Sequence, residues 1–239
     1  MLLSQKKTTS GPFSIKENNP SFRSLTIPNG FDSSSATNQP MADSRLKRKV
    51  WIEAYGCPSN IADSEIIGGL LTADGFELAK NQTEADASII VTCSVKDSTE
   101  HKMIHRIKEI TKAGRPVVVA GCLAKADSSK VESVNSKIYL IGPNSIDSTV
   151  HVVRSAFNNK KVLALEDSVL PKLNLPRARS NSIISIVEIA NGCLSECSFC
   201  QTKIARGWLK SYRIGDIIRQ ISRDISDGYK EIWLSSTDN

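Results

Sequence analysis

The chain has 239 residues, 40% of them hydrophobic and 23% charged, with a formal net charge of +6, the balance of a soluble globular protein long enough for one or two cores. No apolar run approaches the ~20 residues that span a bilayer, and the opening MLLSQKKTTSGPF lacks the continuous apolar stretch of a secretory signal. Membrane and secreted classes are thereby set aside and a cytoplasmic placement is expected, while the positive surplus suits a phosphate-bearing partner without demanding one.

Residues 1–44 are rich in Ser, Asn, Thr, Pro and Gly and carry few large apolar side chains. Such a segment has too little apolar surface to offset the entropy of ordering its backbone, so disorder is expected there. From Lys49 onward strands and helices alternate. A strand is predicted over 50–55, then a turn at Gly56, Cys57 and Pro58, and a helix over 61–72. A strand over 76–79 comes next, then one over 87–92 in the run ASIIVTC. A helix over 96–113 follows, with Val95, Met103, Ile107 and Ile110 near one face. The remaining elements of this part are a strand over 116–120, a short helix over 127–133, a strand over 138–141 and a helix over 146–157. Continuously apolar strands separated by helices indicate a parallel sheet covered on both faces. Residues 45–158 are therefore expected to form a small doubly wound α/β domain.

A polar, Pro-containing stretch over 159–181 reads as a linker, interrupted by a short strand over 162–164. The last unit, 182–239, starts with a strand over 183–189 and a long loop over 191–212. A helix over 214–227 and a strand over 231–234 complete it. This is one βαβ unit, which cannot bury both faces of its sheet alone and reads as the opening of a barrel.

Six cysteines carry the chemistry: Cys57, Cys93, Cys122, Cys193, Cys197 and Cys200. Singly, each could be a small buried hydrophobe. Their placement argues otherwise. Cys193, Cys197 and Cys200 form a CxxxCxxC on a loop directly after a strand. Three thiolates at that spacing can hold three corners of one [4Fe–4S] cluster, leaving the fourth iron open. Zinc bound by the three and a water is the alternative, although no fourth Cys or His lies within the loop. Cys57, Cys93 and Cys122 are far apart in sequence, yet each directly follows a predicted strand, in IEAYGC, IIVTC and VVVAGC. Parallel strands end on one edge, the edge where open α/β sheets place ligands, so the three thiols should converge on a shared metal site.

The CxxxCxxC loop after the first strand of a βα unit resembles the radical S-adenosylmethionine (SAM) superfamily. With the preceding α/β domain and its three strand-end cysteines, the chain resembles the MiaB-type methylthiotransferases. YGCPSNIADSE, VTCSVKDSTEH, VVVAGCLAKAD and NGCLSECSFCQTKIARG match that family's motifs, and the resemblance covers residues 49–239. The stretch from Arg206–Gly207 through Ser211–Tyr212 to EIWL is most similar to the archaeal and eukaryotic subgroup that acts on N6-threonylcarbamoyladenosine in tRNA. The resemblance implies an auxiliary [4Fe–4S] cluster on Cys57, Cys93 and Cys122, which receives or carries the sulfur to be inserted. It implies a second cluster on Cys193, Cys197 and Cys200, whose open iron chelates SAM. One SAM would methylate the sulfur and another would supply the radical that activates C2 of adenosine 37. It also implies tRNA as substrate, an electron donor and a sulfur source. Action on another tRNA adenosine derivative or on a ribosomal protein aspartate would use the same motifs, and a non-catalytic iron–sulfur or zinc module is the reading outside enzymes.

Phe199 resembles an aromatic that packs near the SAM adenine, with core packing as the alternative. Ser235, Ser236, Thr237 and Asp238 stand where this superfamily contacts SAM, Ser236 being taken as the candidate. Lys203, Arg206, Lys210 and Arg213 follow the cluster loop and suit SAM carboxylate or tRNA phosphates, or else a solvated loop. His101 and His105 in HKMIH lack the Glu of a zinc-protease motif and read as a solvated helix face. From Ile183 the chain holds 57 residues, against about 250 for an eight-stranded barrel. The expectation is a fragment that encodes both ligand sets without the substrate pocket and does not turn over alone.

Overall fold

A computed structural model describes residues 47–94, 97–168 and 170–237. The expectations for 1–44, for Val95 and Lys96, and for Asp238 lie outside them.

The described residues run through β1 (Lys49–Ala54), α1 (Pro58–Ala73), β2 (Glu77–Leu78), β3 (Ala87–Thr92), α2 (Asp97–Thr111) and β4 (Val117–Gly121). They continue with α3 (Cys122–Ala126), α4 (Ser128–Val134), β5 (Tyr139–Ile141), α5 (Thr149–Phe157) and β6 (Leu163–Ala164). The six strands form one sheet in the order β2-β1-β3-β4-β5-β6, and every pair is parallel. β3 and β4 are buried along their whole length. Their near-continuous run of Ile, Val and Ala fits a strand covered on both faces, where β-branched side chains pack against the pleat.

Two apolar layers sandwich the sheet. One gathers Ile52, Ile89 and Val118 beneath Ile66, Ile67 and Leu71 of α1 and Val152, Val153 and Ala156 of α5. The other gathers Trp51, Ile90, Val119 and Leu140 beneath Met103, Ile107 and Ile110 of α2 and Leu123 and Val131 of α3 and α4. The doubly wound expectation for this part of the chain holds. The strand order reverses between β1 and β3, since the chain runs from β1 to β2 on one side and to β3 on the other. A crevice opens at such a reversal, beyond the carboxyl ends of the two strands.

The second half contains β7 (Ile184–Glu188), β8 (Ala190–Asn191), α6 (Gln201–Arg206), β9 (Lys210–Ser211), α7 (Ile214–Ser226) and β10 (Glu231–Ser235). β7 and β10 pair in parallel around α7, the expected βαβ unit, and β8 and β9 form a small antiparallel pair. The loop expected over 191–212 thus contains a helix and part of that pair. α3 was equally absent from the sequence expectation. Both helices are short, five and six residues, too short to display an apolar period.

The polar stretch after β6 is not a free tether. Lys172 and Leu173 are buried, and the backbone of Pro176 and Arg177 crosses closely over α1. There the Ala178 amide donates to the Glu65 carbonyl at 2.8 Å, and the Arg177 guanidinium donates to the Ile186 carbonyl of β7 at 2.8 Å. A Cβ built on Gly69 would stand 2.3 Å from the Pro176 carbonyl carbon, so the crossing requires glycine. α1 is consequently buried on two sides, by the sheet and by the strap with β7.

The crossing predicts a contrast between two glycines. Gly69→Ala should destabilise the chain by about 1–3 kcal/mol through overpacking. Gly215→Ala, in α7 with open space around it, should be neutral or stabilise by about 0.5 kcal/mol. Urea unfolding midpoints at matched slopes check both.

Candidate functional site: two cysteine triads joined by a buried charge network

Cys57 caps the N-terminus of α1, with Pro58 in the first turn, where a missing N–H costs nothing. Cys93 directly follows β3 and Cys122 opens α3 directly after β4. β1, β3 and β4 are neighbours, and the ladder runs Ala54 opposite Val91 and Thr92 opposite Gly121. The three expected positions therefore stand side by side at the carboxyl edge, two of them flanking the crevice. Gly56 (φ +108°) brings the first loop against Cys93. A Cβ at Gly56 would lie 2.6 Å from the Cys93 Cβ and 3.1 Å from its Sγ.

Asn60 ties these loops together from α1. Its Nδ2 donates to the Tyr55 carbonyl at 2.8 Å and the Thr92 carbonyl at 3.0 Å, and its Oδ1 lies 3.9 Å from the Cys122 Sγ. Each contact sits on or next to one of the three cysteine loops. Cys57 is exposed, Cys93 and Cys122 are buried, and none of the six cysteines is in a disulfide. Burial pushes the Cys122 thiol above its usual range, and the nearby Arg206 charge opposes that shift. Among the described residues no three His, Cys, Asp or Glu side chains stand close enough to share one metal ion. The donor set itself, three free thiols on three neighbouring strand-end loops, is of the kind that ligates an iron–sulfur cluster.

The second triad lies on the loop between β8 and α6. Cys193 and Cys200 are half-buried, Cys197 is exposed, and Cys200 caps the N-terminus of α6. The loop is pinned at its base. The Cys193 amide donates to the Gly207 carbonyl at 3.2 Å. Lys203 Nζ donates to the Cys193 carbonyl at 2.6 Å while standing 3.4 Å from the centre of the Trp208 ring. The Ser195 amide points at the Cys193 Sγ at 3.3 Å, the amide–sulfur contact that suits a thiolate.

α6 packs against α3 and so brings the two loops together. Arg206, the last residue of α6, is 2% exposed. Its Nη2 donates to Asn60 Oδ1 and Asp63 Oδ2, both at 3.0 Å. Its Nη1 donates to Asn191 Oδ1 at 3.1 Å and Glu188 Oε1 at 3.2 Å. Lys172 of the strap reaches Asp63 Oδ1 at 2.8 Å and Glu188 Oε2 at 3.6 Å, and the Tyr212 hydroxyl donates to Glu188 Oε2 at 3.3 Å. Burial works against the Arg206 charge, but Asp63, Cys122 and Glu188 outweigh it and hold the guanidinium well above its ordinary range. Burial and Glu188 likewise keep Tyr212 protonated. A second cluster nearby joins Arg179 to Glu65 at 3.1 Å and to Asp224.

The other expected residues separate clearly. Phe199 is 84% exposed in this chain. Ser236 is half-buried beyond β10, and its neighbour Ser235 lies 3.2 Å, oxygen to oxygen, from Ser59 of α1. Lys210 and Arg213 are exposed. Arg206 is neither solvated nor available to a phosphate. His101 and His105 lie on the exposed face of α2, where His105 pairs with Glu109 at 3.3 Å. Sequence reasoning missed Asn60, Asp63, Lys172, Glu188 and Asn191. The available signal was the polar set Ser59, Asn60, Asp63, Ser64 and Glu65 within an otherwise apolar α1.

Residues 49–142 match the family described as Uncharacterized protein family UPF0004. The chain is 40% identical over 193 residues to the "Probable threonylcarbamoyladenosine tRNA methylthiotransferase" of Pyrococcus horikoshii, covering 80% of this chain and 45% of that protein. It is 33% identical over 210 residues to the "Threonylcarbamoyladenosine tRNA methylthiotransferase" of Homo sapiens, covering 84% of this chain and 36% of that one. The chain thus spans less than half the length of these relatives. Among solved structures it is similar to the radical S-adenosylmethionine methyltransferase TsrM from Kitasatospora setae, with a TM-score of 0.56 at 10% identity over 80% of this chain and 48% of that one. That likeness concerns the fold.

Exposure orders the thiols. In the metal-free, reduced chain at neutral pH, iodoacetamide should modify Cys57 and Cys197 first and Cys93 and Cys122 at least tenfold more slowly. Peptide mass spectrometry over time reads the order.

Proposed function

We propose that this chain is part of a methylthiotransferase like its archaeal and eukaryotic relatives, and that the whole protein carries out the 2-methylthiolation of N6-threonylcarbamoyladenosine at tRNA position 37. The observation that carries the reading is the packing of α3, which opens with Cys122 at the carboxyl edge of the parallel sheet, against α6, which directly follows the Cys193–Cys200 loop. Similarity to tRNA methylthiotransferases over 80% of the chain supports it.

In this reading Cys57, Cys93 and Cys122 hold an auxiliary [4Fe–4S] cluster, and Cys193, Cys197 and Cys200 hold the cluster that binds SAM. When bound, these groups supply the radical and the sulfur transfer, while the protein contributes position and electrostatics. Gly56 lets the Cys57 loop close on Cys93, and Asn60 fixes the three loop backbones relative to one another. Lys203 and the Gly207 carbonyl hold the base of the second loop, leaving Cys197 and Phe199 at its open side. Lys210 and Arg213, exposed after the loop, are candidates for a phosphate backbone, a salt-sensitive and sequence-independent contribution. Ser236 stands at the end of β10 as a candidate SAM contact. No helix among the described residues is long and apolar enough to cross a membrane; a cytoplasmic location is proposed from the tRNA named as substrate of its relatives. An electron donor and a sulfur source complete the reaction.

Anaerobic reconstitution with iron and sulfide tests the assignment. About eight irons per chain are expected, halved when either Cys57, Cys93 and Cys122 or Cys193, Cys197 and Cys200 become Ala. The electron paramagnetic resonance signal of the Cys193 set should change on adding SAM, and that of the Cys57 set should not. Zinc in either site, or no metal in a folded chain, would defeat the reading.

A further inference from the structure

One buried side chain between the triads belongs to neither. Arg206 and the Cys122 thiol share a single acceptor, Asn60 Oδ1, at 3.0 Å and 3.9 Å. The surrounding network contains two cations, Arg206 and Lys172, and two carboxylates, Asp63 and Glu188, all buried. Before any cluster is considered it is neutral. The two cations are not equivalent in position. Lys172 takes Asp63 Oδ1 and Glu188 Oε2. Arg206 takes the opposite oxygens, Asp63 Oδ2 and Glu188 Oε1, and is the cation that also reaches Asn60. The thiol-lined edge therefore faces the guanidinium.

A fixed cation in a dry site favours whatever added negative charge appears beside it, because little water is present to screen it. Reducing a thiolate-bound cluster adds one electron at that edge, and second-shell charge is one of the levers that set its potential. The planar fork of arginine makes four hydrogen bonds at once here, so the charge is held at one distance.

We propose that Arg206 is a positioning residue for the cluster site of Cys57, Cys93 and Cys122, where its buried guanidinium, fixed beside Cys122 through Asn60, favours the reduced state. The inference rests on the two-cluster reading above. Arg206 touches neither reacting atoms nor substrate; it acts through Asn60 on the thiol edge. The same fork, through Asn191 two residues before Cys193, makes it a rigid spacer between the two loops.

The test uses the reconstituted chain with Cys193, Cys197 and Cys200 changed to Ala, so that the Cys57 set alone is read. Its midpoint potential is followed by redox titration with electron paramagnetic resonance detection. Arg206→Gln combined with Asp63→Asn removes the ion pair as a unit and leaves no uncompensated buried carboxylate. Reduction should become about tenfold less favourable, a shift of about 59 mV to more negative potential for one electron, with iron content retained. Arg206→Lys keeps the charge and should shift the equilibrium less than threefold. An unchanged potential in the double variant overturns the proposal. If that variant does not fold, Asp63→Asn alone decides: it leaves the guanidinium less compensated, so a shift to more positive potential supports the proposal and an unchanged potential overturns it. Absence of iron from the Cys57 set while Arg206 is intact removes the two-cluster reading, and this inference with it.

Discussion

The pairing of Arg206 with Asp63 and Glu188 is the constraint around which the rest of the structure is arranged. Taking one guanidinium and two carboxylates out of water costs several kcal/mol per ion, which is recovered only when every lone pair and proton finds a partner. Here the partners come from everywhere at once: α1, the strap, β7, β8 and α6. The residues that satisfy this network are therefore those that must lie at the joint between the two halves. α1 carries polar side chains on one face because that face meets charge, and apolar ones on the other because that face meets the sheet.

The sheet supplies the second half of the arrangement. Its strand order reverses between β1 and β3, and the crevice at that point receives Cys57 and Cys93 as neighbours, with Cys122 one strand further on. Backbone hydrogen bonding, rather than any interaction among the thiols, sets their spacing. The second triad has no such frame. Its loop takes its shape from a backbone bond to Gly207 and from Lys203, and both fixing groups lie close to Arg206 along the chain. The joint thus serves both sites through different means, the ladder for one and the loop base for the other.

Much of this was legible in the residues. The bounds 87–92 expected for β3 coincide with those observed, since the apolar run Ile89–Val91, flanked by small or β-branched Ala87, Ser88 and Thr92, reads as a buried strand. The placement of each cysteine directly after a strand was enough to bring Cys57, Cys93 and Cys122 to one edge. α1 starts three residues earlier than expected because Pro58 occupies a first-turn position that tolerates it. What stayed hidden shares one cause: a polar side chain in a sequence looks solvated. Arg206 was read with Lys203, Lys210 and Arg213 as a loop cation, yet it is the one that turns inward. Residues 159–181 looked like a tether, yet Lys172 and Leu173 are buried. Neither can be recognised before its partners, many positions away, are in place.

The two triads also differ in how far apart their members lie along the chain. Cys57 and Cys122 come from opposite ends of a long stretch and meet only once the sheet is built. An unfolded chain would have to close a large loop, against its entropy, to offer those three thiols together. Cys193, Cys197 and Cys200 fall within eight consecutive residues and can present themselves to iron from a chain that has not yet folded. Under the proposed two-cluster reading, maturation is asymmetric in time. If both triads hold clusters as proposed, the loop set could capture metal during synthesis while the strand-end set would wait for tertiary structure, so that filling of the second site would report that the first domain has folded.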